Sequence, residues 1–116
     1  MNSIERMKKT LTHETPDRVP IDFGSSAVTG IHCSCVEAFR NYYHLERKPV
    51  KVHEPYQMLG MLEDDLLDEL CIDVEGICGR NTMFGFPNEN WKEFRTPWVQ
   101  EILVSEHFNT TVDSNG

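Results

Sequence analysis

The residues of this chain best suited to chemistry are few. Asp22 and His32 stand at either end of a short loop, where a carboxylate and an imidazole can orient each other for ligand binding or proton transfer. The plainer reading of Asp22 is a cap on a loop or helix. Arg80 follows a glycine loop and could meet a substrate anion, or serve as an exposed structural arginine. Asp22, His32 and Arg80 are therefore the candidate substrate-binding residues. His32, Cys33 and Cys35 form a His-Cys-x-Cys group of soft donors. On a helix, however, positions 33 and 35 point about 200° apart, so two sulfurs there cannot share an ion. The expectation is a buried Cys35, an incidental Cys33 and no metal ligand set in the chain. Cys71 and Cys78 match no zinc spacing and are expected to be core thiols. Trp91, Trp98, Phe84 and Phe86 could line a cleft, although aromatics near a hairpin more often pack it.

Several classes are disfavoured by composition. The 116 residues carry 11 Lys and Arg against 19 Asp and Glu, a net charge of −8, which repels nucleic-acid phosphate and anionic lipid. No apolar run reaches the length of a membrane span, and the opening residues lack a signal-peptide pattern, so the chain reads as cytoplasmic. In a reducing compartment its four cysteines stay free and the Asn109-Thr110-Thr111 sequon carries no sugar.

The elements that must position these residues follow from spacing. Ser3 as a cap and Ile4, Met7 and Leu11 predict a helix over 3–13, stopped by Pro16. Arg18–Phe23 alternates like a strand, with a functional tip at Gly24-Ser25-Ser26 where backbone can approach a ligand. Ile31, Cys35, Val36, Phe39 and Tyr43 predict a helix over 30–44. Leu59, Leu62, Leu66 and Leu70 predict another over 58–70, with Glu63, Asp64, Asp65, Asp68 and Glu69 as its solvated face. Ile72–Ile77 is expected as a second strand, and residues 101–104 and 108–112 as a small antiparallel pair. The strand, helix, helix, strand order favours an α/β fold with a parallel sheet.

The stretch His13-Glu14-Thr15-Pro16-Asp17-Arg18-Val19-Pro20-Ile21-Asp22-Phe23-Gly24, followed by Thr29-Gly30-Ile31-His32, Pro55-Tyr56-Gln57-Met58-Leu59 and Phe84-Gly85-Phe86-Pro87-Asn88-Glu89, resembles the opening of the uroporphyrinogen decarboxylase superfamily, which includes corrinoid-dependent methyltransferases. The resemblance implies the N-terminal third of a (β/α)8 (TIM) barrel, ending in a small antiparallel hairpin, as one partial domain. A complete barrel needs roughly 250 residues, so the expectation is an enzyme fragment, inactive alone. The decarboxylases hold tetrapyrrole carboxylates with an arginine loop and use a Phe-Ser-Asp motif; Phe23–Gly30 has no arginine, and Gly76–Arg80 lacks the motif. This favours the methyltransferase branch. For the complete protein that branch implies zinc, held by His and Cys ligands outside these residues, a corrinoid methyl donor and a corrinoid protein as partner, with a small-molecule substrate. The alternative is a non-catalytic binding or assembly module that forms a homo-oligomer through an exposed sheet edge.

Overall fold

Asn2 opens the first helix in the computed structural model, which describes residues 1–116. Its side chain accepts from the Glu5 N–H at 2.8 Å, and Glu5 returns the bond to the Asn2 N–H at 3.0 Å, so α1 (Ser3–Leu11) begins with a closed capping box. The helix turns a polar side inward. Arg6 is buried, whereas Ile4 and Leu11 of the apolar stripe are 69% and 73% exposed.

The inward side of α1 meets Asp73, whose side chain is fully buried. That carboxylate accepts from the Ser3 hydroxyl at 2.8 Å, from the Arg6 guanidinium, from Arg18 Nη1 at 2.6 Å and from the Ile21 N–H at 2.9 Å. Arg6 also grips Asp17 through two parallel bonds of 2.7 and 2.9 Å. Burial would push the Asp73 pKa up; the Ile21 N–H, the Ser3 hydroxyl and the two guanidiniums outweigh it and hold the group well below the usual carboxylate range.

α2 (Cys33–Tyr42) starts when His32 Nδ1 accepts the Ser34 N–H at 3.2 Å. This start sets the helix phase so that Cys33, Val36 and Arg40 face inward. Cys33 is therefore the buried thiol and Cys35 the exposed one, the reverse of the expectation. Cys71 and Cys78 are likewise exposed rather than in the core.

The sheet contains β1 (Val50–Glu54), β2 (Leu59–Gly60), β3 (Lys92–Arg95) and β4 (Glu101–Val104) in the order β2-β1-β4-β3. Only β1 and β4 run parallel; β1 with β2 and β3 with β4 are antiparallel. The expected barrel segment is thus corrected to three helices and a small, open, mixed four-stranded sheet. The segments expected as its parallel strands form no ladder: Ile21 and Asp73 exchange one backbone bond, and the Asp73 carboxylate takes the other donor. The expected helix over 58–70 shortens to α3 (Asp64–Glu69), because Leu59 and Gly60 are drawn into pairing with β1. β4 forms as expected, but its hairpin partner is 92–95 and not 108–112.

One core joins these layers: Cys33 and Val36 from α2, Val50, Val52, Ile102 and Val104 from the sheet, and Leu62 and Leu66 from α3 and the segment before it. α2 can sit this close because a Cβ on Gly60 would lie 2.7 Å from both Val36 and Val50. Arg40 ties the layers at their edge, donating to both Asp65 oxygens at 2.8 Å and to the Glu46 carbonyl.

Two outcomes follow. Leu66 is fully buried, so Leu66→Ala lowers the unfolding free energy by about 2–5 kcal/mol, read from the urea midpoint. Asp73 and Asp17 both have depressed pKa values, Asp17 at about 2 because of its bonds to Arg6. Their contribution is complete above about pH 4 and lost as the pH falls toward each folded value. Stability measured from about pH 5 down to about pH 2 therefore declines in the wild type, and Asp73→Asn starts lower and declines less.

Candidate functional site

A cleft of about 550 Å³ opens where four segments converge. Gly24 and Ser25 form one lip, His53 of β1 lies in the wall, Glu63, Asp64 and Asp65 come from the start of α3, and Val74, Glu75 and Gly76 form the opposite side. The lips touch closely: a Cβ on Gly76 would stand 1.8 Å from the Ser25 carbonyl oxygen. Only glycine permits this approach, so Gly76 fixes the spacing between the two loops.

The electrostatics of the cleft are lopsided. Its lining contributes the carboxylates of Glu63, Asp64, Asp65 and Glu75 and a single ammonium, Lys48, already paired with Glu63. Asp65 is partly neutralised by Arg40, whose bonds hold its pKa down. Coulomb attraction in such a setting favours a cation over an anion. Burial pushes the His53 pKa below its ordinary 6.5, against the smaller opposing effect of Glu54, so this imidazole is neutral at pH 7.

The residues singled out from sequence are dispersed. Asp22 accepts from the Thr29 hydroxyl at 3.1 Å and closes its own loop. His32 caps α2, and its ring packs at a tilt of 53° against Trp98 with centroids 5.0 Å apart. No hydrogen bond joins Asp22 to His32, and Arg80 is exposed and does not line the cleft. The anticipated Gly24-Ser25 tip, by contrast, does border the cleft. The aromatics also divide: Trp98 donates to Gln100 at 2.9 Å, Lys51 lies over Trp91, and Phe84 and Phe86 stack in their loop beside Tyr56. None of the four lines the cleft.

His53 escaped attention in the sequence, although Val50-Lys51-Val52-His53 alternates as a strand edge would. The zinc that the resemblance implies has no thiolate set here. Cys33 is sequestered, with its pKa pushed up to about 11 by burial, and Cys35 faces solvent. No cysteine joins a cluster of potential metal ligands, so the His and Cys set that the resemblance implies is not assembled by these thiols.

Comparison with protein-family models, with curated proteins and with solved structures found no match to this chain.

An NMR titration checks the state of His53: its ring protons move with a midpoint below 6.5, the ordinary value for histidine. Protonation is then resisted by the fold, so the contribution of His53 to stability is complete above about pH 6.5 and falls at lower pH.

Proposed function

We propose that this chain supplies one wall of a binding cleft for a small cationic molecule, in an enzyme that resembles the uroporphyrinogen decarboxylase superfamily on its methyltransferase side. The observation that carries this reading is the charge of the cleft: four lining carboxylates against one ammonium. Uroporphyrinogen presents carboxylates, which this lining repels, and the arginine loop that holds them in the decarboxylases has no counterpart in Phe23–Gly30. A small substrate bearing an amine suits the same lining.

The residues that carry the resemblance support a scaffold role in such an enzyme. Asp17 and Arg18 of the Thr-Pro-Asp-Arg-Val-Pro stretch are engaged with Arg6 and Asp73, and this anchors the segment that leads to the Gly24-Ser25 lip. A surface of 7996 Å² exceeds the roughly 6,500 Å² of a closed monomer of this mass. The radius of gyration, 16.5 Å, exceeds the roughly 13 Å of a compact chain of this length. Both quantities support a cleft completed by further polypeptide, with turnover absent from this wall alone.

The test is a titration of the 15N-labelled chain with cysteamine, a small aminothiol, and in parallel with uroporphyrin. Cysteamine shifts the amides of Ser25, His53 and Gly76, and added salt weakens the effect because the attraction is electrostatic. Uroporphyrin leaves those amides in place. Shifts at the cleft with uroporphyrin, or with cysteamine only elsewhere, overturn the reading.

A further inference from the structure

Outside the cleft, two loops at one end of the β3–β4 hairpin bring unlike donor groups together. Glu89 precedes β3, and Glu106 and His107 follow β4. One ligand atom from each of the three lies within 4.8 Å of the others. His107 Nε2 stands 2.9 Å from Glu89 Oε1 and 3.4 Å from Glu106 Oε1. Two atoms each about 2.1 Å from one zinc ion, at octahedral to tetrahedral angles, are separated by about 3.0–3.4 Å. Both distances from the imidazole nitrogen suit ligands that share one divalent ion, and the shorter is also a hydrogen bond while no ion is bound.

The backbone beneath these groups is tied down. The Glu106 N–H donates to the Glu89 carbonyl at 3.1 Å, and the buried Ser105 hydroxyl donates to the Pro87 carbonyl at 2.7 Å. Asn90 Nδ2 donates to Glu106 Oε1 at 2.8 Å, orienting the carboxylate oxygen that faces His107. Neither carboxylate has a Lys or Arg ion-pair partner; the nearby Lys92 ammonium bonds the Glu106 backbone carbonyl and Asn109 instead. The donor types are one imidazole and two carboxylates, a set suited to zinc and its first-row neighbours.

We propose that Glu89, Glu106 and His107 form a divalent-metal site, with zinc as its preferred occupant, that clips the two ends of the hairpin and leaves its remaining coordination positions to water or a small ligand. The site is independent of the acidic cleft.

The test uses Zn2+ alone with the whole chain. Titration calorimetry gives one zinc per chain, and the melting temperature rises with added zinc, because the ion binds the folded hairpin ends. His107→Ala and, as a change that preserves shape, Glu89→Gln each abolish both effects while the amide spectrum of the core stays in place. Replacing Cys35 and Cys78 with Ser leaves both effects unchanged. Cobalt in place of zinc gives visible bands without thiolate charge transfer. Absence of binding, or zinc that survives His107→Ala and disappears with the Cys35 and Cys78 replacements, overturns the proposal.

Discussion

A buried carboxylate organises the N-terminal half of this chain. Asp73 has no solvent access and would be costly to ionise alone, yet Ser3, Arg6, Arg18 and the Ile21 N–H all donate to it. The donors come in pairs, Ser3 and Arg6 from α1 and Arg18 and Ile21 from the 17–23 segment, so a single acidic side chain brings both together with the region after α3. The arrangement is reciprocal. Without Asp73, Arg6 would be a buried guanidinium with only the partly exposed Asp17 to neutralise it. Ile4 and Leu11 of the apolar stripe of α1 face solvent because the polar side of the helix is held by these bonds.

This anchoring reaches the cleft through short connections. Arg18 and Ile21 are fixed on Asp73, and Gly24 and Ser25 follow within one turn of chain. On the other side of the same node, Asp73 leads into Val74, Glu75 and Gly76. The two lips are thus two arms from one hub, and the missing Cβ of Gly76 lets them meet. The third contribution, the start of α3, is held separately by Arg40 on Asp65 and by Leu66 in the core. The result is an acidic recess whose walls are placed by ion pairs and whose lining still carries carboxylates with no basic partner.

The helix ends show why local signals misled. α1, α2 and α3 all close with the same double bond pattern: Glu14 to Lys9 and His13 to Thr10, Leu45 to Arg40 and His44 to Asn41, Ile72 to Leu67 and Cys71 to Asp68. Each places a residue in the left-handed region, His13, His44 and Cys71, where glycine is the usual choice. With no glycine to mark these stops, the periodic patterns run past the real ends. Ile72, expected to open a strand, is instead the residue that closes α3.

The existence of α1 and α2, the placement of β4 and the burial of the Leu62 and Leu66 face were legible in sequence, because each rests on contacts within a few residues or on simple periodicity. The acidic balance was legible too, and so was the glycine-serine tip. What tertiary structure decided was everything that depends on distant partners. Cys33 rather than Cys35 is buried because His32 sets where α2 begins. Leu59 and Gly60 leave their helical pattern because β1 offers backbone bonds to them. β4 pairs with 92–95, and Phe108, expected in the other strand, instead sets its ring edge-on against Phe94. Asp22, His32 and Arg80 were chosen by their chemistry at loop positions, and the fold sends each to a separate task. The alternation over 50–53 marked a strand at His53 but not the cleft it lines, and Glu89 meets the adjacent pair Glu106 and His107 only because the sheet brings them together.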